Sequence, residues 1–558
     1  MLATDTVGSP FYVGRDYIGR NALLALGSSR DGSSQSHGTH TAGIAAGSGY
    51  DSPYRGLASE ADICLVANAT SNNADLIDST LYDRYTFATD VLGFKYLFDS
   101  AREKHQPCVV SFSEGAGQDF WGYDQLYYEM LDSLLGPGRI MVSSAGNRGH
   151  HKTWFLKPAG VQSEGLFVSH NGSPLLLTLK SAGDFSLRIV YYGQDSVNDT
   201  LSLVACDVLR SEDSVLIRNT LATDSVIIQA YPNCYDKRET CYDLMFCSTN
   251  DMVGTDIPLS VEILQNETDV EGWHYNGTWK TNSLNPRLNA GEMVRNVMSP
   301  SSAPRVISVG ATTNRDSIMN VNGAWKRYWL GSKGQRAPFS SVGPTMDGRI
   351  KPDVMAPGNN IVSAYSSFFM ESHPDAEELS WDVSHFGFGG RTYAWQASTG
   401  TSMSCPVVAG IIALWLQAKP DLTPEEVLDV IAHTSRQPEP SLDYPNNEYG
   451  YGEIDAYAGL LYLLGLSGMN DISDLHTSAS VTLSGRQLTI GLPAEYAEST
   501  VGIRLYNMSG RQVVSRQLEQ LCGVVHLTLP QSLPTGVYAV QLTGSPVVSG
   551  STLIRLGR

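Results

Sequence analysis

The chain has 558 residues, 42% of them hydrophobic, which is enough apolar material for more than one domain with its own core. Its formal net charge is −19 and no basic run interrupts the sequence, so nucleic acid is not expected as a partner. No stretch approaches the roughly 18 uninterrupted apolar residues of a membrane-spanning helix, so no membrane span is predicted.

The segment 37–147 alternates between helical and strand patterns. Helices are predicted for the small-residue stretch "HGTHTAGIAAGSG", for 86–104, where apolar residues recur every three or four positions, and for "YDQLYYEMLDSLL". The apolar stretches "ADICLVAN", "PCVVSFS" and "RIMVSSAGN" indicate strands, with Cys64 and Cys108 as core residues. Strands separated by helices of this length pair in parallel, so the sequence predicts an α/β fold with a doubly wound, mostly parallel sheet.

From about 165 to 290 the apolar period changes to two, as in "FSLRIVYY" and "IPLSVEIL". This period predicts an inserted antiparallel β domain of jelly-roll type. The α/β pattern resumes at "APRVISVGATT" and reaches a helix in "LTPEEVLDVIAHTS", where Thr423 and Glu426 have the spacing of a capping box. Beyond a predicted linker at 466–475, short alternating strands indicate a C-terminal β-sandwich.

Four cysteines fall within the inserted segment, an even number that would allow disulfides in an oxidising compartment. Four buried thiols are an equally good interpretation, and the spacings fit no common zinc site. The four are Cys206, Cys234, Cys241 and Cys247.

The stretch "QASTGTSMSCPVVAG" places Ser402 at the start of a second small-residue helix. A serine hydroxyl is a weak nucleophile until an imidazole accepts its proton, and the reaction also needs a donor for the developing oxyanion. The chain offers His37 at the head of one helix and Asn147 just after a strand. Segments at three strand–helix junctions predict a site at the carboxyl edge of the sheet. The alternatives are a helix cap for Ser402 and a metal site at His37 and His40, although no third ligand accompanies these histidines.

The words "HGTHTAG", "AGN" and "GTSMSCPVVAG" resemble the histidine, oxyanion and serine signatures of the subtilisin-like serine proteases, the subtilase family (peptidase family S8). Supporting similarities are "SFSEG", "VISVGAT", "FSSVGPTMDGRIKPDVMAPG" and "YGYGEIDAY", so the resemblance covers about 37–150 and 300–460. It implies a subtilisin-like fold, polypeptide substrates and no required cofactor, and it leaves structural calcium open.

The same resemblance implies a role for each matching residue. His37 would be the general base, Ser402 the nucleophile, and Asn147 the oxyanion donor beside the backbone N–H of Ser402. His40 would be structural, with its ring held by hydrogen bonds, and Cys405 would be a small core residue. The substrate cleft would be lined by Ser113, Glu114 and Gly115.

The predicted domains follow from these patterns. Residues 1–160 and 295–466 would form the two parts of the catalytic domain. Residues 165–290 would form the inserted β domain and 474–558 the C-terminal β-sandwich.

The family's aspartate precedes its histidine by some thirty residues or more, at the end of an apolar strand in a D-[ST]-G context. Asp5 stands 32 residues before His37, but its context is Thr6-Val7 and only "MLAT" precedes it. Asp16 and Asp31 lie in loop-like contexts. We expect the aspartate and its strand upstream of Met1, together with a signal peptide, with Asp5 as the alternative. The activity of the chain is left open on this point.

The C-terminal sandwich resembles the sorting domain of type IX secretion cargo in Bacteroidetes-type bacteria, in "VGIRLYNMSGRQVVSRQL", "LPTGVYAVQL" and "TLIRLGR". This resemblance implies a secreted or cell-surface protein and the secretion machinery as a partner. Two hypotheses follow: a secreted serine endopeptidase, or a catalytically silent subtilase-like scaffold whose β domains bind a partner. An esterase is disfavoured because no G-x-S-x-G elbow lies in a strand–turn–helix context.

Overall fold

The computed structural model describes most of the chain, and the structural statements below refer to these residues. They are 16–26, 35–50, 52–67, 87–170, 175–192, 197–221, 224–248, 257–275, 278–280, 285–288, 291–328, 331–466, 480–492, 500–507, 512–518, 523–545 and 548–556.

The first part of the α/β unit contains the predicted helices at 37–46, 87–103 and 123–134 and two of the three predicted strands. Its elements are α1 (Arg20–Leu26), α2 (His37–Ala46), α3 (Phe87–Glu103), β1 (Cys108–Phe112), α4 (Tyr123–Leu134) and β2 (Arg139–Ser144).

The strand predicted for "ADICLVAN" is wrong, since residues 61–67 have no strand pairing. Cys64 is exposed instead of buried in a core, and the flanking Ile63 and Leu65 are 54% and 72% exposed. The segment packs on one side only, where Val66 lies beside Gly93 of α3. Its apolar residues favour a strand, but a strand also needs a hydrogen-bonded neighbour, and the described residues supply none.

The inserted segment forms two antiparallel sheets, as predicted. Its elements are β3 (Trp154–Lys157), β4 (Glu164–His170), β5 (Leu175–Ser181), β6 (Phe185–Tyr192), β7 (Val197–Val204), α5 (Ala205–Leu209), β8 (Val215–Leu221), β9 (Asp224–Pro232), β10 (Thr240–Ser248), β11 (Ile257–Asn266), β12 (Val270–His274) and β13 (Thr278–Lys280).

A six-stranded sheet with the order β3-β12-β5-β10-β9-β8 packs on a five-stranded sheet with the order β13-β4-β11-β6-β7. The alternate apolar residues of both sheets build one core, which includes Leu177, Ile189, Leu244 and Val261. Cys206, Cys234 and Cys241 carry free thiols, and the side chain of Cys247 lies outside the described residues.

The second part of the α/β unit completes the parallel sheet. Its elements are β14 (Ile307–Thr312), β15 (Ser317–Met319), β16 (Trp325–Arg327), β17 (Val354–Pro357), β18 (Ile361–Tyr365), α6 (Ser367–Ser372), β19 (Asp382–Phe388), β20 (Arg391–Ser398), α7 (Thr401–Ala418), α8 (Pro424–Thr434) and α9 (Ala456–Leu463). At the start of α8, Thr423 and Glu426 make both hydrogen bonds of the predicted capping box.

The parallel sheet has the order β1-β2-β14-β17 and carries helices on both faces, as a doubly wound fold requires. On one face, α7 packs with α8 and α9 over Ile140, Val142 and Val309. On the other, α3 and α4 cover Val110 and Met141. Helix α7 is long and apolar enough to cross a membrane by composition alone, but two-thirds of it (67%) is buried in this core, which explains its apolar character.

The C-terminal strands form a second sandwich. They are β21 (Ser480–Ser484), β22 (Gln487–Leu492), β23 (Thr500–Asn507), β24 (Gln512–Leu518), β25 (Gly523–Thr528), β26 (Gly536–Ser545) and β27 (Val548–Leu556). Sheets β21-β22-β25 and β24-β23-β26-β27 enclose a core that includes Ile490, Leu505 and Val540. The predicted linker at 466–475 lies, beyond its first residue, outside the described residues.

Candidate active site

The carboxyl ends of β1 and β2 bring two predicted site residues to one edge of the sheet. Ser113 directly follows β1, and Asn147 comes three residues after β2. The first turn of α7 faces the same edge with Ser402, its second residue. Hydrogen bonds described below connect these three segments, so residues distant in sequence share one site.

Ser402 and Ser113 are joined by two hydrogen bonds. The Ser402 hydroxyl donates to the Ser113 carbonyl at 3.3 Å, and the Ser113 hydroxyl donates to the Ser402 carbonyl at 2.9 Å. The second bond depends on Pro406, which lies inside α7 four residues after Ser402. Since proline has no N–H, the Ser402 carbonyl has no helical partner and is free to accept from Ser113.

Asn147 is held by Thr401, the residue before the candidate nucleophile. Its Oδ1 accepts from the Thr401 backbone N–H at 2.9 Å and from the Thr401 hydroxyl at 3.0 Å. The Thr401 hydroxyl oxygen in turn accepts from Gly146 N–H at 3.2 Å. A backbone N–H can only donate, so the amide atom that faces it must be the oxygen, and Nδ2 is left as a directed donor.

The start of α7 supplies a second donor. Thr401 N–H is engaged by Asn147, and Met403 N–H donates to the Gly400 carbonyl at 3.0 Å. Between them, Ser402 N–H has no hydrogen-bond partner in the described ranges. An unpaired N–H in the first turn of a helix favours negative charge. Asn147 Nδ2 is a second available donor, on a side chain held by Thr401, the residue before Ser402.

His37 is the first residue of α2, and α2 packs directly on α7. The close approach depends on small residues: a Cβ added at Gly410 of α7 would lie 2.9 Å from the carbonyl oxygen of Ala45 in α2. The ring of His37 is exposed, partial desolvation by neighbouring protein lowers its pKa, and this favours the neutral form that a general base needs. The Ser402 hydroxyl is bonded to Ser113 and not to His37 in this structure.

His40, one turn further along α2, is buried at 1% exposure. Its Nε2 lies 2.9 Å from the Gln396 carbonyl oxygen, and burial lowers the pKa of the ring to about 4. A ring that is neutral and enclosed in this way positions α2 against the β18–β20 sheet. The metal-site alternative for His37 and His40 gains no support, because the described residues include no group of three or more His, Cys, Asp or Glu side chains able to hold an ion.

No carboxylate of the described ranges is hydrogen-bonded to His37. Asp16 lies beside Tyr96 of α3. The pKa of Tyr96 is raised by burial and, to a smaller extent, by the charge of Asp16. Asp5 and Asp31 lie outside the described residues.

The predicted cleft residues lead away from Ser402 along one extended segment. Glu114 is exposed, and partial desolvation raises its pKa. After Gly115, the segment pairs with a second chain stretch: Ala116 N–H donates to the Ser299 carbonyl at 2.9 Å and Ser299 N–H donates to the Ala116 carbonyl at 2.8 Å.

Met298 fills the space between the chain segments that follow β1 and β2. Its backbone N–H donates to the Ala145 carbonyl at 2.9 Å. A Cβ on Gly146 would meet Met298 Cγ and Sδ at 2.7 Å, and a Cβ on Gly115 would meet Met298 Cβ at 3.2 Å. Because Gly115 and Gly146 have no side chains, the two segments leave room for the Met298 side chain between them.

Cys405 is fully buried, as predicted for a core residue. Its thiol lies 3.4 Å from the Val142 carbonyl oxygen, and burial raises its pKa to about 11. A thiol with this pKa stays protonated and does not compete with Ser402 as a nucleophile.

A buried carboxyl group lies behind the cleft segment. Asp124, in the first turn of α4, is 1% exposed, and its Oδ2 accepts from Asp119 N–H at 2.8 Å. Burial, and then the charge of the Asp119 carboxylate, raise the pKa of Asp124 to about 7. The folded protein therefore holds a proton that the unfolded chain releases near pH 4.

Asp124→Asn is expected to stabilise the protein at pH 8 and to have little effect at pH 4. The free energy of unfolding of the unsubstituted protein falls as pH rises from about 4 to 7, because only the unfolded chain ionises there. The gap of about 3 pH units corresponds to a gain of up to about 4 kcal/mol for asparagine at pH 8. Urea unfolding at both pH values measures this gain. An equal change at pH 4 and pH 8 would contradict the role given to the proton.

Sequence reasoning missed three residues of this site: Thr401, Pro406 and Met298. Thr401 and Pro406 both lie inside the serine signature, "GTSMSCPVVAG". The missing N–H of Pro406 was a usable signal, because it predicts a free carbonyl at Ser402. Met298 had no local signal.

Comparisons with known proteins assign the chain to a family. The model of the subtilase family matches residues 24–174 and 281–452, which leaves out most of the inserted β domain. Serine protease AprX of Bacillus subtilis (strain 168) is 34% identical over 168 residues, 30% of this chain and 32% of AprX. The uncharacterized protein aq_aa18 of Aquifex aeolicus (strain VF5) is 32% identical over 181 residues, 32% of this chain and 71% of that protein.

Among solved structures, the CspB protease of Clostridium perfringens superposes with a TM-score of 0.58 over 79% of this chain and 83% of that one. At 20% identity this similarity shows the fold, including the subtilisin-like arrangement of the parallel sheet. The two ranges matched by the family model make up more than half of the chain. The chain therefore belongs to the subtilase family.

Proposed function

We propose that the protein is a serine endopeptidase in which Ser402 attacks the peptide carbonyl and His37 accepts the Ser402 proton. The observation that carries this proposal is that two donors are available at the start of α7: the unpaired Ser402 N–H, and Asn147 Nδ2 on an amide that Thr401 holds in place. If Ser402 were only a helix cap, a fixed Asn147 side-chain amide would have no role. An oxyanion, in contrast, is stabilised by donors that are already held in place.

The reaction follows from these positions. The Ser402 hydroxyl leaves its hydrogen bond to Ser113 and bonds to the scissile carbon while its proton passes to His37. The carbonyl oxygen becomes an oxyanion and accepts from Ser402 N–H and Asn147 Nδ2. His37 then donates the proton to the leaving amine, and a water molecule, activated in turn by His37, releases the acyl group from Ser402. The scheme also needs an aspartate that orients His37. We propose that this aspartate is one of those outside the described residues, with Asp5 as the candidate within the given sequence.

The direct test is cleavage of an unfolded protein such as casein, with and without prior treatment by a fluorophosphonate. We expect peptide products that disappear after the treatment, because only an activated serine quickly displaces fluoride from the reagent to form a stable phosphonate ester. A protein that binds casein without cleaving it, and that takes up no reagent, would favour the silent scaffold instead.

Met298 is expected to restrict the residue on the acyl side of the scissile bond to small side chains. In the proposed reaction this side chain enters the space between Gly115 and Gly146, which Met298 fills. Met298→Ala should raise kcat/KM for phenylalanine relative to alanine at this position by about tenfold or more, since the new space buries part of the ring. Two peptides that differ only in this residue, phenylalanine or alanine, measure the ratio of their kcat/KM values. An unchanged ratio in Met298→Ala would show that the substrate side chain does not enter the space that Met298 fills.

We also propose that the C-terminal sandwich, residues 474–558, directs the protein to the type IX secretion machinery. Its support is the resemblance of three short segments to such sorting domains, together with the separate core that β21–β27 enclose. The protein would then act outside the cell or at its surface, where polypeptide substrates are accessible.

A further inference from the structure

The inserted β domain touches the cleft segment through Tyr275. The backbone N–H of Tyr275 donates to the Leu176 carbonyl at 3.0 Å, so the residue is anchored in the six-stranded sheet of the insertion. Its side chain leaves that sheet. The hydroxyl donates to the Gln118 carbonyl at 2.9 Å, and a Cβ on Gly117 would lie 3.0 Å from the ring. The absence of a side chain at Gly117 leaves room for the ring beside this backbone.

The hydroxyl of Tyr275 is a permanent donor. Burial, followed by the charge of Asp243, raises the pKa of Tyr275 far above its usual range. The hydroxyl therefore keeps its proton at neutral pH and can donate to the Gln118 carbonyl.

The backbone at Gln118 is the continuation of the segment that starts at Ser113. Between them, Ala116 is paired with Ser299 on one side. The Gln118 side chain is 4% exposed and donates to the Val297 carbonyl at 2.6 Å. The catalytic domain therefore holds the segment through 297–299, and the inserted domain holds it through Tyr275.

The inserted domain also contacts Phe120 and Trp121, which follow Gln118 in the chain. Cys234 N–H donates to the Phe120 carbonyl at 3.1 Å, and Trp121 Nε1 donates to Asp243 at 3.0 Å. The ring of Trp121 stacks on Tyr231 at 3.7 Å. These contacts belong to one continuous segment, 117–122, and among them the Tyr275 contact at Gln118 is nearest along the chain to Ser113, which bonds to Ser402.

We infer that Tyr275 is a positioning residue through which the inserted β domain holds the cleft segment 113–118 in the shape that an extended substrate requires. The inference rests on the proposed peptidase function. A peptide that pairs with a loosened segment must first order it, which weakens substrate and transition-state binding equally. Loss of the contact therefore raises KM and leaves kcat unchanged. Reaction of Ser402 with a small fluorophosphonate does not require a peptide to pair with the segment.

The test compares Tyr275→Phe and Tyr275→Ala with a matched control, Tyr192→Phe. Tyr192 also lies in the insertion and its hydroxyl shares a hydrogen bond of 2.9 Å with Ser260, away from the cleft. We expect KM for an eight-residue peptide to rise roughly fivefold in Tyr275→Phe, the loss of one hydrogen bond, and by a larger factor in Tyr275→Ala. The kcat and the rate of fluorophosphonate labelling should stay within about twofold, and the control should match the unsubstituted protein.

A second measurement separates this inference from the proposed function. Backbone amide exchange of peptides that cover 113–122 should be faster in Tyr275→Ala and unchanged in Tyr192→Phe, whether or not the protein cleaves anything. A protein that takes up no fluorophosphonate would contradict the peptidase function, and the exchange data would still decide the role of Tyr275. Unchanged exchange in Tyr275→Ala would overturn the inference. So would a labelling rate that falls while KM rises, because the residue would then act on the nucleophile.

Discussion

Ser402→Ala is expected to abolish fluorophosphonate labelling and to lower kcat on peptide substrates by about 10⁶-fold, a magnitude carried over from subtilisin, a relative within the family. The physical reason is that the remaining hydroxyl groups near the site lack an adjacent general base. Peptide mapping of the unsubstituted protein should place the label on Ser402.

Ser404→Ala is the matched control for this experiment. Ser404 lies two residues further along α7, is fully buried, and its hydroxyl donates to the Ala356 carbonyl at 2.9 Å. Its loss should cost stability through one unpaired acceptor and leave labelling in place. Label on any serine other than Ser402, or labelling that survives in Ser402→Ala, would contradict the assignment.

Asn147→Ala is expected to leave the fold intact and to slow turnover by about 10²–10³-fold, the cost of one oxyanion donor as measured in subtilisin. The side chain is exposed, and its hydrogen bonds run to Thr401, so little of the core depends on it. The loss should appear equally in kcat and kcat/KM, because the donor acts on charge that exists only in the transition state.

Asn147→Asp is the informative companion variant. Its carboxylate can still accept from Thr401, yet it has no N–H to offer and places negative charge beside the oxyanion. It should therefore be as slow as Asn147→Ala or slower. Circular dichroism and thermal unfolding check that both variants are folded. Full activity in either variant would show that Nδ2 does not face the reacting oxygen.

The predicted fold and the structure agree wherever the signal is local. The capping box at Thr423 and the apolar face of α3 depend on residues three or four positions apart, and both appear as predicted. The segment 61–67 shows the limit of this reasoning. Its apolar residues favour an extended chain, but pairing depends on a neighbour that no local pattern specifies.

The sequence by itself determined most of the alternation of helices and strands around the site, the doubly wound sheet, and the three segments that carry His37, Asn147 and Ser402. These follow from periodicity, capping and short motifs, which are properties of neighbouring residues. Only the tertiary structure decided that Thr401 orients Asn147 and that Met298 and Tyr275 border the cleft. Those contacts join residues far apart in the chain, and they depend on where strands end and how the inserted domain packs, which periodicity does not encode.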